Sequence, residues 1–173
     1  MGAAMSFALH LVPLAGFAGL MAIAAFEDFR RLIIPNVVPA GLCLLWPLHL
    51  ATAPGMGLAA GAVAAGCAAG VFLVGAVLFC RGLIGGGDVK LLAAATLWAG
   101  PAGTPALLVL TGVFGGLVCL FVLTPLGRIA TAASGQIGLA REGAANGKSR
   151  TVVPYGMAIA AAALVVTIPP NFS

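Results

Sequence analysis

Asp28 and Asp88 are the only aspartates in the chain, and Glu27 and Glu142 complete its four acids. Two carboxylates brought together can share one proton, because like charges at short range do not both ionise readily. Such a pair can activate water for hydrolysis, or relay protons within a bilayer. Each acid also has a plainer use. Asp88 follows Gly85-Gly86-Gly87, where an anion caps the helix that begins there. Asp28 ends an apolar run, a place where the helix macrodipole disfavours negative charge unless Arg30 or Arg31 offsets it. Glu27 points about 100° away from Asp28 on a helix, which suits an interfacial side chain. Glu142 sits in a long polar connection and reads as a surface residue.

Other chemistries fit poorly. Gly85-Gly86-Gly87-Asp88-Val89-Lys90 lacks the G-x-x-x-x-G-K-[ST] pattern of a phosphate loop. Cys43, Cys67, Cys80 and Cys119 form no C-x-x-C pair and lie in apolar runs, so they read as small buried hydrophobes. His10 and His49 fall toward the far ends of their spans and read as packing residues. Neither a metal nor another cofactor is expected.

The elements that must position the acids follow from composition. Of 173 residues, 62% are hydrophobic and 7% charged, where a soluble domain carries roughly 25% charged residues. Too few polar side chains remain to cover a water-facing surface. The expected fold is all-α, a polytopic helical bundle in a membrane. A net charge of +4 spread along an apolar chain makes no nucleic-acid stripe. Spans of about 20 apolar residues are expected at 7–26, 37–53, 56–80, 88–100, 106–126 and 152–168, six in all. The fourth is short, ends at Gly100-Pro101, and is also compatible with a re-entrant segment.

Basic residues orient these spans. Arg30 and Arg31 follow the first, Arg81 and Lys90 flank the junction of third and fourth, and Arg128, Arg141, Lys148 and Arg150 follow the fifth. By the positive-inside rule these three connections are cytoplasmic and both termini lie outside. Asp28 and Asp88 are then expected at one cytoplasmic membrane boundary. Gly57/Gly61, Gly66/Gly70 and Gly112/Gly116 are G-x-x-x-G pairs, expected to serve close helix packing.

Three segments carry a family resemblance. Asp28-Phe29-Arg30-Arg31-Leu32-Ile33-Ile34-Pro35-Asn36 resembles the D-x5-I-P-N signature of type IV prepilin peptidases. Gly85-Gly86-Gly87-Asp88-Val89-Lys90 is similar to their G-x-G-D-x-K segment, and Val153-Pro154-Tyr155-Gly156 to their P-Y-G element. The resemblance implies an aspartic endopeptidase whose catalytic residues are Asp28 and Asp88. Gly85, Gly86, Gly87, Lys90, Pro35, Asn36, Pro154, Tyr155 and Gly156 are then supporting or substrate-binding residues. The substrate implied is a prepilin or pseudopilin precursor, with a basic leader in the cytoplasm and an apolar helix in the lipid bilayer. The setting implied is the bacterial inner membrane, beside pilus assembly machinery.

Longer members carry an N-terminal insertion with paired C-x-x-C motifs and also methylate the product. Residues 1–173 read instead as a single transmembrane peptidase domain without that zinc and methyltransferase insertion. This size is similar to the short branch serving tight-adherence (Flp) pili. Three other readings compete, one of them a purely structural membrane subunit. A presenilin-like or signal-peptide-peptidase-like protease would carry a P-A-L element where this chain has Pro154-Tyr155-Gly156. A proton-coupled transporter would place its acids near mid-membrane.

Overall fold

A chain in lipid must satisfy its N–H and C=O groups within each segment, so apolar runs become helices. The computed structural model describes residues 2–53, 56–124 and 155–168. Among these, five helices form: α1 (Gly2–Arg31), α2 (Val37–Thr52), α3 (Leu58–Cys80), α4 (Gly86–Leu123) and α5 (Tyr155–Thr167). Three are long and apolar enough to cross a membrane, over Leu9–Arg31, Leu58–Cys80 and Gly86–Leu123, while α2 and α5 are apolar but shorter. Large apolar side chains such as Leu44, Leu58 and Val37 lie outermost, at 82%, 86% and 74% exposed. Lipid, not water, suits that surface.

The fourth and fifth expected spans are one element, α4, broken at Gly100. Unbroken, its 38 residues would extend about 57 Å at about 1.5 Å each, nearly twice the hydrocarbon thickness. Gly100 takes φ 65° and ψ −177°, a left-handed backbone that other residues resist. Pro101 then starts the second limb without needing a hydrogen-bond acceptor for its nitrogen. The Thr104 hydroxyl donates to the Gly100 carbonyl at 2.6 Å. The interruption expected at Gly100-Pro101 is a break between two helical limbs.

Close contacts fix the direction of each segment. Gly16 faces Leu45 and Gly41 faces Leu20, Gly61 faces Trp46 and Leu50, and Gly75 faces Val89. Gly103 faces Val166, and Gly115 faces Tyr155. Successive segments therefore alternate in direction. One end of the bundle gathers the α1–α2 and α3–α4 connections with the start of α5. Arg30, Arg31, Arg81 and Lys90 all belong to that end; the other four basic residues and Glu142 lie outside the described residues.

The core is knitted around Trp98, which is 2% exposed. Its indole N–H donates to the Leu42 carbonyl at 3.0 Å, and its ring lies 4.7 Å from those of both Phe17 and His49. His10 stacks on His49 at 5.2 Å, so both histidines pack, at the end away from the acids.

The G-x-x-x-G expectation needs correction. Gly61 is in close contact, but Cβ atoms added at Gly57, Gly66, Gly70, Gly112 and Gly116 would meet nothing within 4 Å among the described residues. Small residues permit close approach; they do not supply the partner.

Candidate active site

Asp28 occupies the last turn of α1, because the helix runs through Glu27 to Arg31 beyond the apolar stretch. Its side chain is 4% exposed. The expected arginine partner is not what offsets its position. Arg31 Nε lies 3.4 Å from Glu27 Oε2, and Arg30 lies over the Phe26 ring at 5.2 Å. Asp28 instead meets the start of α5. The Met157 backbone N–H donates to Asp28 Oδ2 at 3.2 Å, and the Gly156 backbone also hydrogen-bonds the carboxyl. Those N–H groups belong to the first turn of a helix, where they lack intrahelical acceptors and carry the positive end of the macrodipole. The dipole of α5 thus answers the unfavourable one of α1.

Asp88 lies in the first turn of α4, whose N-cap is Gly85. The Gly85 backbone hydrogen-bonds its carboxyl, the reach-back of a capping residue. Capping does not bury it fully, because Asp88 is half-buried and lines a cavity of about 670 Å³ that Asp28 also lines. The two carboxyls are close enough to interact electrostatically. Ile33, Leu83, Gly86 and Tyr155 form other parts of the same wall. Two acids on separate helices, each beside a helix N-terminus, share one open cavity. At about 670 Å³ the cavity has room for a peptide beside the two carboxyls.

A second cavity, about 440 Å³ and almost wholly apolar, joins the first along Leu83, Ile84, Asp88 and Tyr155. Gly70, Val74, Leu108 and Gly112 line its far wall.

The supporting residues sort by what they touch. The three glycines make room chiefly for the protein itself. A methyl on Gly85 would stand 2.8 Å from Asp88 Oδ2, one on Gly86 3.2 Å from the Phe79 ring, and one on Gly87 3.1 Å from Ile34 Cβ. Lys90 donates to Asn36 Oδ1 at 2.9 Å, linking the α1–α2 connection to α4. Pro35 holds that connection, its carbonyl accepting from Val38 N–H at 3.0 Å. Tyr155 lines both cavities and packs on Gly115. Gly156 is buried against Asp28; Pro154 lies outside the described residues. Sequence reasoning met Ile34, buried at 7% exposure, only as the isoleucine of the D-x5-I-P-N signature and gave it no role, and it passed over the Met157 N–H. That signature, together with the apolar run Leu32-Ile33-Ile34 inside a turn, was the available signal for Ile34.

With this geometry in place, comparison with known proteins gives one match. The type IV leader peptidase family model covers residues 15–120, which include both aspartate segments. No curated protein and no solved structure matches the chain.

Proposed function

Because the chain belongs to the type IV leader peptidase family, we propose that Asp28 and Asp88 are an aspartic dyad cleaving the basic leader from Flp-like prepilins. One observation carries this reading: both carboxyls line the same cavity at one end of the bundle. The ionised member of the pair takes a proton from water, and the protonated member hydrogen-bonds the scissile carbonyl as negative charge develops there. The water oxygen bonds the carbonyl carbon, and the C–N bond then breaks. The leaving amine takes the proton that the base removed from water, so the pair, which titrates as a unit, ends as it began. No covalent intermediate is required.

The site faces the cytoplasm in this reading, because Arg30, Arg31, Arg81 and Lys90 cluster at the same end as the acids. A precursor with a cytoplasmic leader and an apolar helix in the bilayer presents its scissile bond at that depth. The apolar cavity beside Asp88 suits the residues that enter the membrane just after the bond. The position of the acids at one end, not midway along the bundle, counts against a proton-coupled transporter.

The test is co-expression with a Flp-type prepilin and mass measurement of the pilin. Asp28→Asn and Asp88→Asn should each abolish processing while the protein stays in the membrane. Glu27→Gln and Glu142→Gln should process normally. Near wild-type cleavage by either aspartate variant removes that residue from the mechanism. Cysteines placed at positions 31 and 84, after the native four are replaced by alanine, should label from the cytoplasmic side.

A further inference from the structure

Ile34 stands where the three segments of the site meet. A methyl on Gly87, the residue before Asp88, would lie 3.1 Å from Ile34 Cβ and 3.6 Å from its backbone N and O. A methyl on Gly156, beside the Met157 N–H that holds Asp28, would lie 2.8 Å from Ile34 Cδ1. The side chain therefore fills the gap between the segment carrying one acid and the segment gripping the other.

Its own backbone is fixed from both sides. Leu32 N–H donates to the Asp28 carbonyl at 3.0 Å, and Leu32 adopts φ 53°, a left-handed conformation that ends α1 sharply. Pro35 restricts Ile34 to extended backbone. Beyond it, Asn36 is bonded to Lys90 on α4. A β-branched side chain on a pinned backbone makes a stiff spacer.

We infer that Ile34 is a positioning residue whose width sets the separation of Asp28 and Asp88. This rests on the dyad proposed above. Two acids that share a proton and hold one water tolerate displacement poorly, and a shift near 1 Å can cost on the order of 100-fold in rate. The separation also sets how strongly the two titrations are coupled, hence the width of the bell in the pH–rate profile.

The experiment uses full-length enzyme in detergent, with a purified Flp-type prepilin, and measures kcat, KM, the pH profile and thermal unfolding. Ile34→Ala should lower kcat on the order of 100-fold, leave KM unchanged and alter the width of the bell. Ile34→Val, which keeps the branch at Cβ beside Gly87 but lacks the Cδ1 that reaches Gly156, should fall between wild type and Ile34→Ala in rate. Ile34→Leu keeps the atom count but moves the branch, so it should lose rate without losing the fold. Leu42→Ala, a comparable truncation of a fully buried residue away from the acids, should reduce stability while kcat and bell width hold. Wild-type kcat and pH profile in folded Ile34→Ala, or in Ile34→Leu if the alanine variant does not fold, overturn the inference. If Asp28→Asn is inactive in that same assay, the dyad stands and only the spacer falls; an active Asp28→Asn removes both.

Discussion

The Asp28 carboxyl lies against the bare Cα of Gly156, so near that a methyl there would stand 2.9 Å from both Cγ and Oδ2. Glycine at this position lets the first turn of α5 reach the last turn of α1. Gly156→Ala should push Asp28 out of place and cost on the order of 100-fold in cleavage rate. The overpacking should cost about 1–3 kcal/mol of stability. Pilin mass and thermal unfolding of the same preparation check both. Full activity would show that Asp28 does not need its present position.

Lys90 and Asn36 offer a coupled pair. Their hydrogen bond is exposed, so a double-mutant cycle of Lys90→Met and Asn36→Ala should show a coupling of about 0.5–1 kcal/mol in unfolding. In cleavage, the double variant should be no worse than the poorer single one. Additive losses would mean that the two residues act separately.

Gly112 tests the apolar cavity. A side chain there meets open space, and leucine is the better helix former by about 1 kcal/mol, so Gly112→Leu should be at least as stable as wild type. Filling the cavity should forfeit about 1.5 kcal/mol of apolar contact with the precursor, roughly tenfold in KM. An unchanged KM would take this cavity out of substrate binding.

Trp98 separates stability from catalysis. It lies about 15 Å along α4 from Asp88, and Trp98→Phe deletes its bond to the Leu42 carbonyl. Stability should drop on the order of 2 kcal/mol, with kcat per folded molecule unchanged. A lowered kcat in folded protein would tie the far end of the bundle to the site.

What the sequence disclosed and what it concealed differ in physical kind. The helices, the interruption at Gly100-Pro101 and the charged end were readable because hydropathy, glycine, proline and arginine act locally. The partner of Asp28 was not readable. Arginine neighbours one turn away offered a local answer, whereas the actual donor comes from Met157, far along the chain. The partner of Lys90 was equally unreadable, because Asn36 reaches it only once the α1–α2 connection meets α4. Ile34 was visible as a letter of the D-x5-I-P-N signature, but its role was not, because its contacts with Gly87 and Gly156 exist only after α4 and α5 have packed. The glycine pairs misled in the opposite sense, since a spacing that allows contact says nothing of which faces meet.

The Met157-to-Asp28 bond also imposes an order on biosynthesis. Both aspartates leave the ribosome well before α5 does, so a nascent chain that has inserted only α1 to α4 carries the acids without the donor that seats one of them. On the proposed dyad, competence would arrive in a single late event, when the first turn of α5 docks. A ribosome-stalled intermediate ending before residue 155 would hold both carboxyls and still be inert toward precursors inserted beside it.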